Sequence, residues 1–135
     1  MWNGFRGKVV VFAGALMLFL VGCGLGRQTG EKEKTLMHVF AYTPLENATQ
    51  QDFVNFEKAT GEMVGKIPGL RRVWVGKLRE PVAAENDRIR SYGVAMEFDN
   101  VEALETYARH PVHTDCVKIY ERVRQQGTTT LDIMP

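Results

Sequence analysis

Tyr107, His110, His113 and Cys116 fall within ten residues of one another, around Pro111, and the two histidines are two of the chain's three. A residue before proline is pushed away from helical geometry, so His110 must end one helix. Proline is favoured as the first residue of the next, which makes His110 its N-cap position and His113 its third residue. His113 precedes Cys116 and Val117 by three and four residues and Tyr120 by seven, so these four share an inward face. In a first helical turn the macrodipole disfavours an imidazolium, and partial burial acts the same way. A neutral imidazole beside an apolar cavity is what a general base needs near neutral pH.

Two other arrangements fit the same spacing. His113 could be a core histidine whose ring nitrogens are occupied by backbone groups. Alternatively, His110 and His113 could bind a metal with His38 as a third ligand. Zinc needs three or four converging side chains, each oriented by a further partner. The HPVH pair straddles a helix break and no carboxylate is placed to complete the set, so no metal is assigned.

The elements that must position these residues follow from periodicity. Leu36 to Tyr42 reads as a first strand, apolar on both faces apart from His38. Thr49 to Asp52 resembles a capping box with Asp52 in the usual Glu or Gln place. From there Phe53, Phe56, Thr60, Met63, Val64 and Ile67 keep helical spacing until Pro68-Gly69 stops the helix. Residues 70–78 form a second strand and 79–90 a polar loop. Residues 91–98 form a third strand, with Tyr92, Val94, Met96 and Phe98 on one face. Asp99-Asn100 caps a short helix carrying Val101, Leu104, Tyr107 and Ala108 on one stripe. The Pro111 helix runs to about residue 126, and 128–133 is a last strand. The order β-α-β-β-α-α-β is an α+β plait of the ferredoxin-like kind, its second helix broken in two. Helices can cover one face of such a sheet. The first strand is apolar on both faces, and the second has Val73 and Val75 on one side and Trp74 on the other. A second copy of the chain is the simplest cover for the remaining face, so a homodimer packed sheet to sheet is expected.

The N-terminus has a different character. Arg6 and Lys8 precede an apolar or small run over 9–21, with no acidic residue before Glu31. Thirteen helical residues span about 20 Å, short of the roughly 30 Å hydrocarbon core, so the run reads as an export signal. It ends in Leu20-Val21-Gly22-Cys23, which resembles a bacterial lipobox. That resemblance implies cleavage before Cys23 and acylation of Cys23. The chain then divides into a signal peptide (1–22), a Gly-rich tether (23–34) and a domain (35–135). With Cys23 lipidated, Cys116 has no disulfide partner. Loss of Arg6 and Lys8 leaves 15 of the 17 basic residues against 16 acidic ones. Such a balance offers nucleic acid no long-range attraction. Membrane attachment must then come from acyl chains. Gly24 follows Cys23, so in a cell with two membranes the expected address is the outer one, facing the periplasm.

The segments MHVFAY, IPGLRRVWVGK, YGVAMEFDNVEALETYARHPVH and the closing LDI together resemble the stress-responsive α/β-barrel (Dabb) family. The resemblance covers 36–133 and implies a dimeric α/β barrel. Its most specific element is aromatic-x-x-His-Pro-x-His, here Tyr107, His110, Pro111 and His113. A plant polyketide cyclase of the family closes its substrate by aldol chemistry. By correspondence with it, Tyr107 and His113 would be the catalytic tyrosine and histidine base, and His38 a pocket histidine. One position departs: where the cyclase has a further pocket histidine, this chain has Tyr92. The expectation is therefore an anchored ligand-binding protein. Its pocket would be lined by His38, Phe40, Tyr92, Tyr107, His113, Val117 and Tyr120, and would take a small apolar or aromatic ligand. The alternatives are a cofactor-free acid–base enzyme, of cyclase or isomerase type, and a structural, stress-protective oligomer. Nothing in the sequence calls for a haem or flavin cofactor.

Overall fold

The computed structural model describes residues 34–85 and 87–135. The expected signal peptide, Cys23 and nearly all of the tether lie outside the described residues. Within them the elements are β1 (Leu36–Tyr42), α1 (Gln50–Gly61), β2 (Leu70–Ala83), β3 (Ile89–Phe98), α2 (Val101–Arg109), α3 (Pro111–Tyr120) and β4 (Thr129–Ile133). The strands form one antiparallel sheet in the order β2-β3-β1-β4. This is the ferredoxin-like plait with its second helix divided. No helix among the described residues is long and apolar enough to cross a membrane.

Local chemistry sets most element ends. The Thr49 hydroxyl accepts the Asp52 N–H, and an Asp52 carboxylate oxygen accepts the Thr49 N–H at 3.0 Å, the reciprocal cap that starts α1. The Asn100 side chain accepts the Ala103 N–H at 2.9 Å and starts α2. Gly69 has φ +78°, and a Cβ there would sit 2.4 Å from Ala103 Cβ. Only glycine lets the entry to β2 pass so close to α2.

Three expected boundaries move. α1 ends at Gly61 rather than near Ile67, and consecutive turns follow, with Met63 N–H bonded to Thr60 O and Val64 N–H to Gly61 O. These turns still bury Met63 and Ile67, so the apolar spacing outlasts the helix. α3 ends at Tyr120 instead of about residue 126. Leu45 N–H bonds to Val123 O and Gln125 N–H to Thr43 O, and these cross-chain bonds replace continued helix. The supposed loop 79–90 is largely hairpin: β2 reaches Ala83 and β3 starts at Ile89, with a register shift between Lys77 and Val82. Most of its polar side chains are exposed on a ribbon, Arg90 excepted, and ladder bonds do not require apolar residues.

The helices cover the sheet face that carries Leu36, Phe40, Tyr42, Val94, Met96 and Phe98, all buried. Phe56, Met63, Tyr107, Cys116 and Tyr120 meet them from the helical side. At about 1.5–3 kcal/mol for each large apolar side chain, this layer supplies most of the driving force for folding. The opposite face is bare. Trp74 is 48% exposed, Leu131 61% and Ile133 58%. Val39, Ala41, Gly76, Leu78, Gly93 and Ala95 line a shallow apolar depression among them.

Candidate functional site

A cavity of about 440 Å³ lies between the inner sheet face and α1, α2 and α3. Strand alternation puts His38 and Phe40 on its floor. α2 delivers Tyr107, and α3 delivers His113, Cys116, Val117 and Tyr120. Thr60, Met63, Met96 and Leu104 fill in the apolar wall. Pairing of β1 with β4 sets His38 opposite Asp132 and Phe40 opposite Thr130. Thr130 and Asp132 are exposed, so the cavity is wettest along the β4 edge.

The helix break produces the expected geometry. His110 is extended (φ −75°, ψ 135°), and its Nδ1 accepts the Val112 N–H at 3.2 Å as the N-cap of α3. That bond fixes the His110 ring on the backbone, away from the cavity lining. His113, one turn on, faces Tyr107 with ring centroids 4.1 Å apart. The Tyr107 ring also packs 5.1 Å from Phe98 and 6.0 Å from His38. Among the described residues no three of His, Cys, Asp and Glu gather where they could hold a metal ion.

His113 Nδ1–H donates to Ala108 O at 3.3 Å, which leaves Nε2 as the lone-pair nitrogen. Burial holds the ring's pKa below the ordinary 6.5. The bond to Ala108 pulls the other way, and the His38 ring adds to the lowering. Asp115 is turned outward to Lys118, 2.8 Å away, and does not counter this. Burial raises the pKa of the Tyr107 phenol well above its usual value, so it is a neutral donor at pH 7. Its hydroxyl makes no hydrogen bond to His113 or to any other described residue. The Cys116 thiol is also raised by burial and lies 3.6 Å from the Thr60 hydroxyl, so it is a wall group rather than a nucleophile.

The structure brings His38, Phe40, Tyr107, His113, Val117 and Tyr120 to one cavity. Tyr92 does not join them. It stacks between Tyr42 (5.7 Å) and Phe53 (4.7 Å), on the core side of the sheet but away from the lining. Sharing a strand face with Met96 put Tyr92 on the correct side, but four residues of rise carried it past the cavity. Asp132 is the partner that residue patterns missed: its carboxylate lies 2.6 Å from His38 Nδ1. The pair is 94 positions apart, and only the β1–β4 register joins it.

Comparison with known proteins places this arrangement. The family model described as "Stress responsive A/B Barrel Domain" matches residues 36–134. Comparison of the sequence with curated proteins gives no match. Among solved structures, a dimeric ferredoxin-like protein of unknown function from Jannaschia sp. CCS1 superposes with TM-score 0.62 at 20% identity, covering 75% of this chain and 99% of that one. The matched domain is thus nearly the whole of that protein. A hydroxynitrile lyase from Passiflora edulis gives TM-score 0.62 at 12% identity, over 76% of this chain and 94% of its own. A cofactor-independent oxygenase from Streptomyces nogalater gives 0.52 at 13%, over 76% and 91%. At these identities the likeness is one of fold.

The depressed pKa of His113 has a definite sign in solution. Above about 6.5 the ring is neutral whether the chain is folded or unfolded, and it costs no stability. As pH falls below that, the unfolded chain takes up the proton first, so the folded domain loses stability until the folded pKa is passed. NMR titration of the imidazole should give a His113 pKa below 6.5. A midpoint above 6.5 would contradict the burial argument.

Proposed function

The chain belongs to the stress-responsive A/B barrel family, and from that premise we propose a lipid-anchored homodimer whose cavities each bind a small apolar or aromatic ligand. The observation that carries the ligand reading is the cavity itself. Its 440 Å³ lies within the range of about 300–1,000 Å³ typical of small-molecule sites. Its wall is mainly apolar, with polar groups from His38, Tyr107 and His113 at one end.

Two further features support the assembly. The bare sheet face with Trp74, Leu131 and Ile133 is an apolar surface that a second copy would cover, and the Jannaschia relative with this fold is dimeric. The basic start, apolar run and LVGC sequence support export and acylation at Cys23. In a cell with two membranes, Gly24 next to the lipid favours the outer membrane, facing the periplasm.

A second reading rests on the free Nε2 of His113. Nδ1 is tied to Ala108 O, so Nε2 can take a proton α to a carbonyl while the Tyr107 hydroxyl donates to the developing enolate oxygen. Neither step needs a cofactor. The same fold serves a hydroxynitrile lyase and a cofactor-independent oxygenase, which supports chemistry as a possibility for this scaffold. Binding is preferred because the cavity needs no reaction to account for its shape.

Native mass spectrometry of the protein released from its own membranes tests assembly and ligand together. The expected particle is two chains carrying a discrete small molecule; an empty monomer would refute both. Incubation of the recovered ligand with protein in deuterium oxide separates the two readings. Exchange at a carbon-bound hydrogen that is lost in His113→Ala would favour the enzyme, and no exchange favours binding. Cys23→Ser should abolish acyl labelling and shift the protein out of the membrane fraction. Unchanged fractionation would rule out the anchor.

A further inference from the structure

The cavity has a second polar end that the histidines do not reach. Thr130 and Asp132 of β4, with Thr128 just before the strand, alternate along this edge. At about 3.3 Å per residue, Thr128 lies roughly 13 Å from Asp132 and hence from the His38 end. Near Thr128 the Tyr120 hydroxyl lies 3.3 Å from the Thr128 hydroxyl. The Arg124 guanidinium sits over the Tyr120 ring, its Cζ 4.7 Å from the centroid. Arg124 lines the cavity there, and its Nε is buried with no hydrogen-bond partner.

A second guanidinium acts on the same tyrosine from outside the cavity lining. Arg90 of β3 is only 6% exposed. Its Nη1 donates to the Thr43 hydroxyl at 2.9 Å and its Nε to the Thr129 hydroxyl at 3.4 Å. Arg88 bonds to Gln126 O nearby. Burial pushes the Tyr120 phenol up to about 12, while the Thr128 bond and the charges of Arg124 and Arg90 hold it down, so both cations act on this one spot. Among the described residues neither Arg90 nor Arg124 forms an ion pair with a carboxylate. Glu121 borders a neighbouring cleft with Arg124 but is not bonded to it.

Arginine cannot shed its proton to escape burial. A part-buried guanidinium whose Nε has neither a hydrogen-bond partner nor an anion, as at Arg124, is costly unless a ligand supplies them. One guanidinium fork beside one hydroxyl suits a planar monoanion, whereas a phosphate would call for more donors. We propose that the cavity takes a monocarboxylic acid with an apolar or aromatic body, its carboxylate held by Arg124 and Thr128 and its far end presented to His38, Tyr107 and His113. This rests on the ligand-binding reading and adds the class and direction of the ligand. Arg90, outside the lining, adds positive charge without touching it.

Calorimetry on the domain (residues 35–135), whose fold makes up 99% of the Jannaschia protein, with 6-phenylhexanoate and 6-phenylhexan-1-ol tests the assignment. The carboxylate should bind at least tenfold tighter than the alcohol. Arg124→Gln should remove that advantage, and a circular dichroism spectrum matching that of the unaltered domain shows that the variant is folded. Thr128→Val should weaken the carboxylate by several-fold. Equal affinities in the unaltered domain would overturn the carboxylate assignment while leaving the ligand-binding cavity standing. Binding of neither compound would overturn both. A carboxylate preference that persists in Arg124→Gln would remove Arg124 from the site. If that variant does not fold, the comparison in the unaltered domain still decides.

Discussion

A four-stranded sheet with apolar side chains on both faces, and helices enough for only one, is the constraint from which the rest of this structure follows. On the covered face, Leu36, Phe40, Val94, Met96 and Phe98 pack against the helices. On the other, Trp74, Leu131 and Ile133 are left to solvent or to a partner. The covered face is itself incompletely filled. β4 is an edge strand that no helix packs against closely, and its inner side chains are Thr130 and Asp132 rather than core residues. The cavity opens where coverage runs out.

The division of the second helix turns that gap into a site. A single continuous helix would have carried Tyr107 and His113 on different sides, since six residues at 100° each leave them about 120° apart around the axis. Breaking the helix at His110-Pro111 resets the phase, and the two rings meet at 4.1 Å. The His110 side chain caps the new helix and thereby takes no part in the lining. Burial keeps the His113 ring neutral, against the pull of its Nδ1–H bond to the last turn of α2, and its Nε2 makes no hydrogen bond among the described residues.

The parts governed by neighbouring residues were legible in the sequence. The caps at Thr49 and Asn100, the proline break, the face shared by His113, Cys116 and Tyr120, and the ferredoxin-like order all depend on spacings of a few residues. What depends on register or on distant backbone bonds was not legible. Asp132 reaches His38 only through β1–β4 pairing, and Arg90 and Arg124 converge from separate elements near Tyr120. Tyr92 shows the converse limit. Its face was readable, but its distance along the strand from the cavity was not, and its ring went to the stack with Tyr42 and Phe53. The hairpin extension over 79–90 was not legible because a mostly exposed ribbon carries no apolar pattern.

Two apolar surfaces compete for any greasy ligand, the inner cavity and the bare outer face, and the proposed binding function places it in the inner one. Intermolecular nuclear Overhauser effects from bound N-phenyl-1-naphthylamine, a neutral aromatic probe, measure this directly. The predicted contacts are to the methyl groups of Met63 and Met96 and to the ring of Tyr107, all on the cavity wall. Contacts confined to Trp74 and Leu131 on the outer face would contradict it.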